Sequence, residues 1–492
     1  MKTLLSISIF CMLLCYACAP DDDLITDPGA ALEFSTDTLR FDTVFTSLGS
    51  ATRIIKIYNP HDKRINIEKI NMGLGANTKF RLNVDGIPGI SFDSVEVPPN
   101  DSIYIFAEVT IDPDDAFSPF VIFEDLVLET NGNTQKVVLE AWGQNANYIP
   151  NQFNNGGDYV LPCGGGEVIW DDARPYVIFG ILVIDDCVLN VRPGTNIYVH
   201  GGLESFLDED DFRVFYNDGR IITTSTGSLQ LEGTYEEPIV IQGDRLEEGF
   251  GDVWGQWFGI VLTAQSKNNI FNYTTVKNAV IGVAVDSLSS LETSYSVYHN
   301  TNASGILGIN ADITANNCLV YNNGGGGVTL LEGGNYNFNY CTIASYGVEA
   351  DALGMSDALC LDQPFCTQYY EGDLNASFKN CIITGSRADE IALSKLSDNT
   401  IFNYEFEDCI IKLDEVLMDG PHTNFLDFCT NCINMSNSDA LFVEPGDDNY
   451  HLDTLSIAEG KAIPIMSITT DLDNVTRDGA APDLGCYEYV VE

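Results

Sequence analysis

The chain has 492 residues, of which 72 are acidic and 23 are basic, and its formal charge is −49 at pH 7. Affinity for nucleic acid comes largely from Lys and Arg side chains that meet phosphates, so this charge argues against nucleic acid as a partner. It also disfavours direct adsorption to anionic lipid. Hydrophobic residues make up 45% of the chain, enough for a large core, and 43 glycines favour β-structure with many turns.

The N-terminus has the features of an export signal. Residues 4–16 form an apolar run that is too short to cross a bilayer of about 30 Å, and Ala17-Cys18 follows it directly. This pattern resembles a bacterial lipoprotein signal, which implies that residues 1–17 are a signal peptide and that the Cys18 thiol carries diacylglycerol. An ordinary signal peptide cut near Ala17 or Ala19 is the alternative.

An acidic run at residues 21–23 lies inside a predicted tether of residues 18–29. The run resembles the export signal by which lipoproteins of the Bacteroidetes reach the outer face of the outer membrane. The resemblance implies a protein of the cell outer membrane that faces the exterior. Its contact with the membrane would then be the lipid on Cys18.

Residues 30–147 show the alternation of apolar and polar residues that is typical of short β-strands. Runs such as R-I-I-K-I-Y at 53–58 and S-I-Y-I-F-A-E-V at 102–109 are separated by turn sequences such as N-P-H-D. About seven strands in this length predict an antiparallel sandwich. The segment resembles immunoglobulin-like modules of the major-sperm-protein and abnormal-spindle type, which usually act as spacers or protein-contact units. Residues 148–155 are the predicted linker.

The remaining segment, 156–492, contains an internal repeat with a period of roughly 21–23 residues. Coils of this length, each with one short β-branched run and Asn- or Gly-rich corners, cannot close a core alone and therefore stack. The pattern predicts a right-handed parallel β-helix. The aligned cysteines are expected to form a ladder of buried free thiols. The aligned positions are Thr274, Tyr295, Cys318, Cys341, Cys381 and Cys409.

Two close cysteine pairs lie away from that ladder. Cys360 and Cys366 fall in an insertion at residues 348–375, and Cys429 and Cys432 fall in a later loop. In an exported protein such pairs are disulfide candidates, with free thiols as the alternative. A redox or zinc role has little support, because neither a thioredoxin-like context nor a second C-x-x-C is present.

Both ends of the repeat segment resemble known β-helix families. Y-V-I-F-G-I-L-V-I at 176–184 is similar to the opening coils of Bacteroidetes β-helix lipoproteins. D-L-D-N at 471–474 and A-P-D-L-G-C-Y-E-Y at 481–489 resemble the closing segment of pectate-lyase-like and choice-of-anchor families. Asn474 stands where that pattern has Gly, and Cys486 stands where it has Ala. The resemblance implies the fold and leaves the activity open.

Aromatic and acidic residues supply the candidate binding sites. Aromatic rings stack on sugar faces, so exposed rings are candidates for carbohydrate binding, with core packing as the alternative for the tryptophans. These rings are Trp254, Trp257, Tyr369 and Tyr370. Calcium takes six to eight oxygen ligands, and acidic clusters offer them, so calcium is a possible cofactor. The calcium candidates are Asp208, Asp210, Asp471 and Asp473.

No catalytic residue is assigned from the sequence. β-Helix lyases need a basic residue for proton abstraction and a cation beside the uronate, and the pair nearest to this pattern is Lys277 and His299. The sequence therefore predicts an all-β, lipid-anchored surface protein, in which a sandwich precedes a β-helix that binds or scaffolds extracellular glycans or proteins. The alternative is a polysaccharide lyase or a glycoside hydrolase on the same β-helix.

Overall fold

The computed structural model describes residues 24–112, 120–154, 156–207, 213–247, 249–362 and 366–490. The chain divides into two compact units, Met1–Ala146 and Asn147–Glu492. Cys18, Asp208 and Asp210 lie outside the described residues, and their roles stay predictions. No helix in the described part of the chain is both long enough and apolar enough to cross a membrane.

The first unit is a sandwich of two five-stranded sheets around an apolar core. One sheet has the order β1-β3-β8-β5-β6 and the other β2-β10-β9-β4-β7, with antiparallel pairing except between β2 and β10. This confirms the predicted sandwich and adds one parallel pair. The strands are β1 (Glu33–Phe34), β2 (Thr38–Phe45), β3 (Arg53–Tyr58), β4 (Ile65–Met72), β5 (Phe80–Val84), β6 (Ile87–Gly89), β7 (Ser91–Val97), β8 (Ser102–Val109), β9 (Phe120–Thr130) and β10 (Asn133–Gln144), with a 3₁₀ turn at Gly75–Asn77.

The second unit begins with short strands that repeat in a fixed order, apart from the antiparallel hairpin of Leu203–Leu207 and Arg213–Asn217. They are β11 (Asn147–Ile149), β12 (Asp158–Val160), β13 (Glu167–Trp170), β14 (Tyr176–Phe179), β15 (Ile181–Ile184), β16 (Val188–Val191), β17 (Asn196–His200), β18 (Leu203–Leu207), β19 (Arg213–Asn217), β20 (Arg220–Thr223), β21 (Ser228–Glu232), β22 (Ile239–Gly243), β23 (Gly259–Leu262), β24 (Asn269–Asn272), β25 (Thr274–Lys277), β26 (Val283–Val285), β27 (Ser290–Ser294) and β28 (Val297–Thr301).

The remaining strands of the second unit are mostly short, although the two longest of them bend around a corner. They are β29 (Ser304–Asn316), β30 (Leu319–Asn323), β31 (Gly326–Asn339), β32 (Thr342–Ser345), β33 (Leu353–Ser356), β34 (Ala358–Cys360), β35 (Tyr369–Glu371), β36 (Leu374–Lys379), β37 (Ile382–Gly385), β38 (Ile391–Ser394), β39 (Phe402–Glu407), β40 (Ile410–Ile411), β41 (Cys429–Thr430), β42 (Ile433–Asn434), β43 (Phe442–Glu444) and β44 (Asn449–Leu452); helix α1 is Glu415–Met418, and 3₁₀ turns lie at Phe425–Phe428 and Pro445–Asp447.

Successive coils stack these strands into three parallel faces around one apolar core. Face 1 contains β11, β14, β17, β22, β25, β28, β30, β32, β37, β40 and β42. Face 2 contains β12, β15, β20, β23, β26, the first halves of β29 and β31, β33 and β38. Face 3 contains β13, β16, β21, β24, β27, the second halves of β29 and β31, β36, β39 and β41. The predicted parallel β-helix is confirmed.

One residue with a left-handed backbone turns the chain from face 3 to face 1 in the coils from β24 onward. The φ angle there lies between 41° and 57°, a region that Asn and Asp tolerate better than most residues. These corner residues are Tyr273, Tyr295, Asn317, Tyr340, Asn380, Asp408 and Asn431. The following residue is small and begins the next turn of the core. These residues, here called the corner ladder, are Thr274, Ser296, Cys318, Cys341, Cys381, Cys409 and Cys432.

The corner ladder corrects two details of the predicted repeat. Tyr295 is the corner residue itself, so the aligned core position of that coil is Ser296, whose hydroxyl contacts the Phe271 carbonyl as the cysteine thiols contact theirs. Cys432 extends the ladder by one coil, although its sequence position suggests a loop. The first four ladder cysteines are fully buried free thiols.

Disulfides join Cys163 to Cys187 and Cys360 to Cys366. The first joins two segments one coil apart, with a Cα–Cα distance of 5.4 Å, and sequence analysis does not identify it. The second lies at the β34–β35 hairpin of the predicted insertion. The predicted linker also needs correction, because β11 pairs in parallel with β14 and so belongs to the first coil.

Candidate functional site

The outer surface of face 1 is covered by the last part of the chain over several coils. This part, residues 435–490 and here called the closing segment, packs Phe442, Tyr450 and Leu484 against outward side chains such as Tyr321 and Ile382. Backbone hydrogen bonds add to the contact, since Gly485 N donates to Asn380 O over 2.9 Å. The covered part of face 1 is therefore not open to a ligand.

The outer surface of face 2 has one row of mostly aliphatic side chains along its length. One outward residue per coil is aligned by the strand register, and none of these side chains is ionisable. The row consists of Val160, Val183, Ile222, Val261, Ala284, Leu307, Thr329, Gly354 and Ala392. General acid–base catalysis needs titratable groups within hydrogen-bond reach of the substrate, and this row supplies none.

The outer surface of face 3 is polar and lines an open groove of about 640 Å³. Strand register aligns the polar side chains of β31, β36 and β39 in neighbouring rows. Asp427, Phe428 and Thr430 line the groove at its C-terminal end. The polar side chains of the groove, here called the amide surface, are Asn335, Asn337, Asn375, Ser377, Asn403 and Glu405.

A chain of hydrogen bonds runs across the coils along one row of the amide surface. Asn335 Nδ2 donates to Asp312 Oδ1 over 3.0 Å, Asn375 Nδ2 donates to Asn335 Oδ1 over 3.4 Å, and Asn403 Nδ2 donates to Asn375 Oδ1 over 3.2 Å. Asn335, Asn375 and Asn403 are exposed. The bonds fix the orientation of each carboxamide before any ligand arrives, which lowers the entropic cost of binding.

The cations around the amide surface are paired, whereas Glu405 and Asp427 of the groove form no ion pair within the described residues. Lys379 Nζ lies 2.7 Å from Glu407 Oε2, and Lys267 Nζ lies 3.1 Å from Asp312 Oδ2. Glu405 accepts a hydrogen bond of 3.0 Å from the Ser377 hydroxyl. Carboxamides thus occupy the middle of a surface on a chain whose formal charge is −49.

The four predicted sugar-binding rings do not form one site. Trp257 is fully buried and donates its indole N–H to the Lys277 carbonyl over 2.9 Å. The prediction that this ring binds sugar is therefore wrong, and the alternative of core packing is correct. Trp254 is 37% exposed, in the loop between β22 and β23. Tyr369 and Tyr370 lie on β35, and Tyr370 is 58% exposed. This hairpin ends directly before β36, beside the amide surface.

Lys277 and His299 lie side by side on face 1, as their sequence positions suggest. His299 is 9% exposed, and its ring stacks on Tyr321 with 4.7 Å between ring centroids. Burial and the neighbouring Lys277 lower the pKa of His299 to about 3. A histidine with this pKa is neutral and a very weak base at neutral pH, so the pair does not suit proton abstraction.

The predicted calcium ligands Asp471 and Asp473 have other partners. Asp471 is 1% exposed and accepts backbone hydrogen bonds from Val475 N over 2.7 Å and Glu488 N over 2.8 Å. Asp473 pairs with His451. Within the described ranges, no three His, Cys, Asp or Glu side chains are grouped as metal ligands. The two aspartates thus serve the fold of the closing segment.

His451 bridges two parts of the closing segment, and it gives a pH-dependent prediction. Its Nε2 lies 2.7 Å from Asp473 Oδ2 and its Nδ1 lies 2.8 Å from Asn449 Oδ1. The hydrogen bond to Asp473 raises the pKa of His451. The stabilisation by the charged ring is therefore complete below the unfolded pKa of about 6.5 and is lost as pH rises through the higher folded pKa.

Replacing His451 with Gln should remove this contribution, which we expect to be below about 1 kcal/mol because half of the side chain is exposed. The measurement is the thermal unfolding midpoint of the full chain on either side of that pH window. His61→Gln, in the first unit, is the control. An unchanged pH profile in His451→Gln would show that the ring does not titrate with unfolding.

Cys429 and Cys432 are free thiols in the structure, so the predicted second disulfide is not formed. Their side chains are nonetheless hydrogen-bonded to each other. Cys432 occupies the corner ladder, and its Sγ lies 3.6 Å from the Phe406 carbonyl oxygen. The period of the repeat, applied once more after Cys409, is the signal that could have placed it there.

No protein-family model matches the chain, and no curated protein matches it. Similar solved structures include the catalytic unit of a GH87 α-1,3-glucanase from Streptomyces thermodiastaticus, with a TM-score of 0.24, 11% identity, and coverage of 73% of this chain and 74% of that one. A PapD-like domain of human CEP192 has a TM-score of 0.17 and 10% identity, and the match covers 25% of this chain and 91% of that domain.

A third match is a protein of unknown function from Porphyromonas gingivalis W83, with a TM-score of 0.18 and 11% identity. That match covers 28% of this chain and 57% of the other, so it spans little more than half of that protein. TM-scores of this size transfer no function to the chain.

Proposed function

We propose that this chain is a lipid-anchored protein of the cell outer membrane that binds extracellular glycans through its β-helix. The lipid on Cys18 attaches it to the membrane, and the acidic tether directs it to the exterior. The observation that supports glycan binding is the open groove of about 640 Å³ on face 3, lined by oriented carboxamides. Carboxamides both donate and accept hydrogen bonds, as sugar hydroxyls require.

The other two faces suit this role less well. The closing segment covers much of face 1, and the outward row of face 2 is apolar. Sugar recognition combines a few placed polar groups with aromatic contacts. Phe428, which is 41% exposed, lines the groove and offers an exposed ring to a sugar.

Glycan binding is tested by applying the mature chain to an array of extracellular polysaccharides. We expect retention of at least one glycan, and weaker retention for the double variant Asn375→Ala/Asn403→Ala. A release of new reducing ends from the bound glycan would favour the glycoside hydrolase alternative, and a rise in ultraviolet absorbance from unsaturated products would favour the lyase. An array on which no glycan is retained would contradict the proposal.

The anchor is tested by fractionating cells that express the full chain. Cys18→Ser should move the protein from the membrane fraction to the soluble fraction, because the predicted acceptor position then has no thiol for the lipid. Cys15→Ser is the matched control, since it changes a cysteine of the same signal that is not the predicted acceptor. Membrane association that persists in Cys18→Ser would refute the lipid anchor.

A further inference from the structure

We propose that the ligand of the amide surface is a neutral, unbranched polysaccharide that lies along the β-helix axis across several coils. This inference rests on the proposed glycan-binding function and specifies the class of glycan. It draws on the hydrogen-bonding capacity of the asparagines, the charge around them and their spacing.

The asparagines keep hydrogen-bonding capacity for a ligand. A carboxamide has two N–H donors and an oxygen with two lone pairs. Within the row, Asn375 uses one N–H toward Asn335 and one lone pair toward Asn403. One donor and one acceptor of Asn375 therefore remain, at an exposed position. The remaining N–H and lone pair of Asn375 match a sugar hydroxyl group, which donates one hydrogen bond and also accepts hydrogen bonds.

The charge of the surface selects against acidic glycans. A chain of formal charge −49 repels a polyanion at long range. Binding of a uronate or a sulfate would need unpaired cations, whereas Lys379 and Lys267 pair with Glu407 and Asp312. The amide surface is uncharged on β31 and β36, where Asn335, Asn337 and Asn375 lie, and its acidic residues Glu405 and Asp427 lie toward the C-terminal end of the groove. A neutral sugar meets neither repulsion nor an unpaired buried charge there.

The repeat of the surface indicates a repeating ligand. Register places Asn335, Asn375 and Asn403 on successive strands, which are about 4.8 Å apart in a β-sheet. A second row places Asn337, Ser377 and Glu405 beside the first. Equivalent groups thus recur along the axis at a distance comparable to one sugar unit. A polymer along the axis meets an asparagine of the first row at each step, while a compact ligand does not.

The experiment measures binding of the full mature chain by affinity electrophoresis in two sets of polysaccharides. The neutral unbranched probes are pullulan, mixed-linkage β-glucan and glucomannan, galactomannan is the neutral branched comparison, and the charged probes are polygalacturonate, alginate and heparin. We expect retardation by a neutral probe, with little change between low and high salt, because no ion pair forms. Longer oligosaccharides of the retained type should bind more tightly until they cover the coils of the amide surface.

The double variant Asn375→Ala/Asn403→Ala should weaken binding about tenfold or more, since two hydrogen-bonding side chains are lost. Both residues are exposed, so the variant should fold, and its thermal midpoint checks this. Asn272→Ala is the matched control, because Asn272 lies on face 3 several coils earlier. Its affinity should stay within about twofold of the unchanged chain.

The outcomes separate this inference from the proposed function. Retardation by a charged probe alone, sensitive to Asn375→Ala/Asn403→Ala, would overturn the neutral ligand and leave glycan binding intact. Binding of a neutral probe that the double variant does not weaken would place the ligand on another surface and overturn the inference. A chain that no glycan retards would overturn both.

Discussion

Replacing Arg477 with Met is expected to lower the free energy of unfolding by about 3–5 kcal/mol, because it leaves a buried carboxylate without its partner. The Arg477 side chain is 3% exposed and lies 2.8 Å from Glu488 Oε1. It also donates to Asn317 Oδ1 over 2.6 Å and to the Gly485 carbonyl over 2.8 Å. Its guanidinium lies 3.9 Å from the centroid of the Tyr340 ring.

These contacts connect the closing segment to the β-helix. Asn317 and Tyr340 are corner residues of two successive coils, while Glu488 and Gly485 belong to the closing segment. Loss of the guanidinium should therefore detach the segment as well as destabilise the chain. Urea denaturation gives the free energy, and limited proteolysis of the folded variant reports the detachment.

Lys461→Met is the matched control for Arg477→Met. It removes a cation from the same segment, and the residue is exposed. We expect a change within about 0.5 kcal/mol for this control. The loss of stability in Arg477→Lys should lie between the losses in Lys461→Met and Arg477→Met. An ammonium group keeps the charge, but it cannot donate several hydrogen bonds in one plane as a guanidinium does. A loss below about 1 kcal/mol for Arg477→Met would mean that the network does not hold the segment.

Replacing Cys341 with Asp is expected to destabilise the chain by about 4 kcal/mol or more at neutral pH, because a carboxylate would be buried without a cation. Cys341 is fully buried between Cys318 and Cys381 of the corner ladder. Its Sγ lies 3.4 Å from the Asn339 carbonyl oxygen and 3.5 Å from that of Ala315. Both neighbours are acceptors, so a carboxylate there meets oxygens that repel it.

The pH dependence of this variant distinguishes charge from shape. Burial raises the pKa of a carboxyl group, so the penalty should be largest above that pKa and should shrink as pH falls and the group is protonated. Cys341→Val, with similar volume and no charge, should cost less than about 1.5 kcal/mol. Free energies of unfolding at two pH values give both comparisons. Tolerance of Cys341→Asp at neutral pH would mean that Cys341 does not face the core.

The fold could be predicted from the sequence because the repeat leaves a periodic trace. Cys318 and Cys341 mark successive core positions, and the preceding Asn317 and Tyr340 mark the corners. The prediction at Tyr295 is wrong by one residue, since Tyr occurs as the corner residue in several coils and Ser296 is the small residue after it. The Cys163–Cys187 disulfide was missed although its separation of 24 residues is close to the period.

The candidate site was harder to predict, because its rows exist only after the coils are stacked. Along one strand, Asn335 and Asn337 appear as ordinary solvent-facing residues of an alternating pattern. Asn375 belongs to the same row but is separated from them by the β34–β35 insertion. For Trp257 the sequence left sugar stacking and core packing open, and the ring lies in the core of the β-helix.

The last coil differs from the others, and this difference bears on self-association. A stack of parallel strands presents unpaired N–H and C=O groups at its final coil, which can recruit another copy of the chain and grow into a filament. Here α1 and the 3₁₀ turn Phe425–Phe428 stand where face 2 would continue, and the fully buried Phe425 ring lies 5.1 Å from that of Phe406. The apolar interior is thereby covered at this end, which removes the hydrophobic contribution to end-to-end stacking of copies there.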